Sequence, residues 1–101
     1  MHVDTTGPVN PDVQQIANAF WVLDAMTMDN GATRIVPGSH RKFAIPKGNY
    51  TQANGTHPDE IYISASPGEL LLLSAHLWHS GSKNKSGARR RVIIAQFERT
   101  K

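Results

Sequence analysis

The chain has 101 residues, a hydrophobic fraction of 39% and a formal charge of +3. That length allows one small domain with one core. Cysteine is absent, which excludes a disulfide framework and a thiolate metal site. Any metal must then be held by histidine and carboxylate, which favours Fe(II), Mn(II) or Zn(II). No apolar run approaches the roughly 20 residues of a membrane span, and no signal peptide opens the chain. The default reading is a soluble, cytoplasmic protein with no membrane partner. Basic residues cluster at 83–91, with a looser group at 34–47. Charge alone would suit a nucleic-acid binder, but no basic helix, RNP-like motif or aromatic ladder supports one.

In chain order, residues 5–15 are turn-rich, with Gly7-Pro8 and Asn10-Pro11. Residues 16–24 (IANAFWVLD) form an apolar, aromatic run of strand length. Asp29-Asn30-Gly31 is a hairpin-turn signal, and 32–36 reads as a short strand ended by Pro37-Gly38. Residues 41–60 show no period, and a stretch of that length in a small domain is a functional loop or a disordered one. Short strands are expected at 62–65 and 69–74, the second buried on both faces or nearly so, because Leu70 to Leu73 do not alternate. Further strands are expected at 76–80 and 90–98. No helical period persists anywhere. Many short strands with Gly/Pro turns predict an all-β sandwich or barrel of the jelly-roll or cupin kind.

Three features point to chemistry. His2 and Asp4 are two apart, so on a strand they share a face and can approach one metal ion from one side; a solvated terminus is the bland reading. His79 lies between Trp78 and Ser80-Gly81, and its bland reading is a core histidine bonded to a carbonyl. Together, two histidines and one carboxylate make the facial triad that leaves coordination positions open for substrate and dioxygen. Arg90, eleven residues past His79, supplies a fork that grips a carboxylate with two parallel hydrogen bonds, as a 2-oxo acid would require. Arg89 and Arg91 are expected to face solvent. A solvated basic edge is the bland reading for all three.

The stretches His2-Val3-Asp4, FWVLDAMTMDNGATRIVPGSHRK and PGELLLLSAHLWHSGSKNKSGARRRVIIAQF, in that order, resemble the phytanoyl-CoA dioxygenase family of Fe(II)/2-oxoglutarate oxygenases. The resemblance implies a double-stranded β-helix, with His2, Asp4 and His79 on iron and Arg90 on the distal carboxylate of 2-oxoglutarate. Phe20 falls where the family commonly has tryptophan, near the co-substrate, and Trp21 is one place off; either aromatic could face the cavity. Asn84 matches a recurrent polar turn position, and Ser39-His40 matches a strand-end motif of structural role. Relatives that halogenate carry a small residue where this chain has Asp4, so the resemblance implies hydroxylation.

The resemblance implies longer family members, with the portion before His2 expected to be the part missing here. Residues 1–101 are therefore expected to form a single, N-terminally truncated double-stranded β-helix core. The chain would be a fragment, a partial gene product or a minimal form completed by homo-oligomerisation. Two functions are carried forward. The first is a dioxygenase that hydroxylates a small molecule while converting 2-oxoglutarate to succinate. The second is a non-catalytic β-barrel used for binding or oligomerisation. The 41–60 loop is the expected lid. His57 is read as a loop residue, His76 as outward-facing, and Met26 and Met28 as packing residues.

Overall fold

The computed structural model describes residues 1–3, 16–42, 44, 46, 47 and 55–98. Six strands form in chain order: β1 (Ile16–Val22), β2 (Arg34–Ile35), β3 (Ile61–Tyr62), β4 (Leu70–Ser74), β5 (His79–Ser80) and β6 (Val92–Glu98). They make two antiparallel three-stranded sheets, ordered β4-β1-β6 and β3-β2-β5. The only helical element among the described residues is a single 3-10 turn, Ser39–Arg41. The architecture is the all-β double-stranded β-helix.

β1 is the central strand of the larger sheet, and its alternation organises the molecule. Trp21 pairs with Leu70 on one side and Ile93 on the other, while Phe20 pairs with Leu71 and Ile94. Paired residues of adjacent strands share a face. Asn18, Phe20 and Val22, all buried, therefore look toward the second sheet with Ile94 and Gln96. Trp21, Leu70, Leu72, Ile93 and Phe97 lie on the opposite face and stay exposed, Leu72 at 71%.

That exposure corrects the expectation that 69–74 is buried on both faces. β4 follows the ordinary one-face rule for antiparallel sheets, and its leucine run simply places leucine on both sides. The strand expected at 76–80 shrinks to His79–Ser80, because Ala75 and His76 turn the chain. His76 is buried, not outward: a turn does not obey the two-residue alternation from which its direction was inferred. Met26 packs as expected, but Met28 is 62% exposed.

Two apolar clusters hold the sheets. Val22, Met26, Ala32 and Ala65 form one, joined by Tyr62, Ile63 and Leu71. Met1, Val36 and Trp78 form the other, with Val3 against it. Full burial of each large aliphatic side chain here is worth about 1.5–3 kcal/mol. Asn30-Gly31 makes the expected turn. Gly31 has φ 91°, and a Cβ there would lie 3.1 Å from the Ser82 carbonyl oxygen, so both backbone conformation and space require glycine.

Candidate metal and co-substrate site

His2 and His79 meet. The His2 N–H donates to the His79 carbonyl at 2.9 Å, and the His79 N–H donates back to the His2 carbonyl at 3.1 Å. This is an antiparallel hydrogen-bonded pair, in which facing side chains emerge on the same side. Their rings stand 4.2 Å apart between centroids, tilted by 56°. His79 is buried and His2 exposed. The segment 1–3 thus acts as an added strand beside β5, tied down by this pair and by Met1 in the second cluster.

His79 is oriented at its other nitrogen too. Nδ1 lies 2.8 Å from the Leu77 carbonyl oxygen. A carbonyl can only accept, so Nδ1 carries a proton and donates it to that oxygen. A ligating histidine is commonly held in this way.

A cavity of about 440 Å³ opens between the sheets. His2 and His79 line it from the smaller sheet, and Asn18, Phe20, Ile94 and Gln96 from the larger. Of the two candidate aromatics, Phe20 faces the cavity, and Trp21 points to the exposed outer face. The alternation of β1 decides between them.

Arg90 precedes β6 by two residues, so the final strand is shorter than the expected 90–98. The residue is half-buried, and its Nη1 is enclosed with no hydrogen-bond partner among the described residues. Buried polar groups are ordinarily satisfied, and an enclosed guanidinium nitrogen is suited to an oxyanion. Arg91 is exposed as expected, but it is paired. It forks onto Asp24, Nε to Oδ2 at 2.9 Å and Nη2 to Oδ1 at 3.2 Å. That guanidinium holds the Asp24 carboxyl at about 2, below its ordinary 3.8. Asn84 behaves as a turn-former: Oδ1 accepts from the Ser86 N–H and hydroxyl, and Nδ2 donates to the Ala88 carbonyl.

Asp4 lies outside the described residues, as does part of the 41–60 loop. Among the described residues, no three His, Asp or Glu side chains converge on a common point. No helix among them is long and apolar enough to cross a membrane. Ser39 earns its strand-end position: its fully buried hydroxyl accepts the Trp78 N–H at 2.8 Å. His57 is more than a loop residue. It is buried and meets Trp78 edge-on at 5.8 Å.

A double-stranded β-helix with two histidines lining the inter-sheet cavity is of the jelly-roll or cupin-like class of barrels. Within that class, the chain belongs to the phytanoyl-CoA dioxygenase (PhyH) family, whose sequence model matches residues 1–92. The uncharacterized protein Rv1501 of Mycobacterium tuberculosis is 34% identical over 83 residues, covering 82% of this chain and 29% of that protein. Dioxygenase andF of Emericella variicolor is 33% identical over 94 residues, covering 89% of this chain and 29% of that protein. The crystal structure of AviO1 from Streptomyces viridochromogenes superposes with a TM-score of 0.73 at 26% identity, over 97% of this chain and 42% of that one. The chain therefore spans less than a third of the curated relatives named here.

Proposed function

We propose that the protein is an Fe(II)/2-oxoglutarate-dependent dioxygenase that hydroxylates a small molecule. The observation that carries this reading is the pairing of His2 with His79, which joins two distant parts of the sequence at one cavity. The residues suit the group: two imidazoles emerge side by side, and Asp4 follows His2 at the two-residue spacing that, on a strand, shares a face. Asp4 would complete a two-histidine, one-carboxylate set. Arg90 would take the distal carboxylate of 2-oxoglutarate on its enclosed guanidinium, and Phe20 would wall the co-substrate. When bound, iron and 2-oxoglutarate together supply oxygen activation: 2-oxoglutarate, dioxygen and a C–H substrate give succinate, carbon dioxide and the alcohol. The chain's own residues hold, orient and shield. The bond from His79 to the Leu77 carbonyl fixes the orientation of its ring, and Phe20 supplies an apolar wall to the cavity. The dioxygenase name carried by andF supports this reading. The test is succinate formation dependent on Fe(II) and 2-oxoglutarate, lost in Arg90→Ala and retained in Arg89→Ala. Equal loss in both variants, or none in either, contradicts the choice of Arg90.

A second reading, a non-catalytic module for binding or oligomerisation, is favoured by one observation. Trp21, Leu70, Leu72, Ile93 and Phe97 form an exposed apolar face on the larger sheet, and faces of this kind mark contact surfaces. Light scattering across a concentration series tests it, with a stable homo-oligomer as the expected result.

A further inference from the structure

In the sequence Arg34 belongs to a loose basic group. It is instead 4% exposed, and each arm of its guanidinium is engaged. Nε donates to the Gly81 carbonyl at 2.9 Å, and Nη2 to the Ser80 hydroxyl at 3.1 Å. Nη1 donates to the Gly55 carbonyl at 2.9 Å and faces the Glu60 carboxylate at 3.3 Å. Glu60 in turn accepts the His57 N–H at 2.7 Å. Arg34 does not line the cavity; its register partners are Ser80 and Tyr62, while Ile35 pairs with His79.

We infer that Arg34 is a positioning residue for the proposed metal centre. It locks the backbone just after His79, through Ser80 and Gly81, and fastens the 55–60 segment to the same strand. The inference rests on the reading of His2 and His79 as ligands. Ser39 holds the residue before His79 through the Trp78 N–H, so His79 is gripped from both sides. Stability alone does not call for this arrangement. A buried ion pair is often replaceable by apolar residues with no loss of stability. What an apolar pair cannot supply is three directed donors reaching four acceptors on two separate segments, and lysine, a single point charge, cannot supply them either.

The experiment titrates the full chain with Co(II) by calorimetry, alongside thermal melting. The variants are Arg34→Lys and the double variant Arg34→Met/Glu60→Gln, which removes both buried charges and keeps an acceptor for the His57 N–H. Each is expected to bind Co(II) roughly 10- to 100-fold more weakly, as loss of an outer-shell partner commonly does, with the loss exceeding any change in melting. Affinity within twofold of the parent in either folded variant overturns the inference while leaving the ligand reading intact. Absence of Co(II) binding by the parent chain overturns the ligand reading, and the inference with it. Ser80→Ala leaves the ion pair whole and answers if the Arg34 variants do not fold: weakened Co(II) binding at an unchanged melting temperature supports the inference, and unchanged binding overturns it.

Discussion

Phe20 and Trp21 are adjacent on β1 yet occupy different worlds: Phe20 is 7% exposed at the inter-sheet cavity, and Trp21 is 39% exposed on the outer face. Phe20→Ala should destabilise the fold by about 3 kcal/mol, the lower end for a buried phenylalanine, and weaken 2-oxoglutarate binding. Trp21→Ser should cost about 1 kcal/mol or less and reduce self-association. Urea denaturation and light scattering on the two variants check this; a larger stability loss for Trp21 contradicts the assignment of faces.

The Asp24–Arg91 pair makes a pH prediction. The Asp24 carboxyl is depressed to about 2 in the folded state from an ordinary 3.8. Its stabilising effect is therefore fully present above about pH 4 and fades as pH falls through about 2. NMR titration of the Asp24 carboxyl in Arg91→Gln should move the midpoint upward toward 3.8. Because Arg91 is largely exposed, its effect on melting at neutral pH should be small.

Gly31 and Gly38 both take positive φ, 91° and 79°, but only Gly31 is crowded, with Ser82 oxygen 3.1 Å from an added Cβ. Alanine at either site meets a left-handed backbone cost of about 1–2 kcal/mol. At Gly31 the clash adds to it and pushes the 82–84 segment. Gly31→Ala should therefore melt lower than Gly38→Ala; the reverse order contradicts the packing described.

Much of this was legible in the sequence because short-range patterns carried it. The apolar run at 16–24 became β1 (Ile16–Val22), Asn30-Gly31 became a turn, and the family resemblance, with the two-residue spacing of His2 and Asp4, put His2 and His79 forward as candidate ligands. Arg34 was illegible. The expected strand at 32–36, which forms as β2 over Arg34–Ile35, gives no hint that Glu60 would lie opposite, since a partner 26 residues away leaves no local pattern. β4 misled because four successive leucines look the same whether both faces are covered or one is bare. His76 misled because alternation was assumed across a turn.

We propose that the paired histidines grip one ferrous ion beside bound 2-oxoglutarate. Anaerobic addition of Fe(II) and 2-oxoglutarate, followed by visible absorption, reports on that grip. A weak charge-transfer band should form with the parent chain and vanish in His2→Ala and in His79→Ala. No band with the parent, or a band that survives loss of either histidine, contradicts the account.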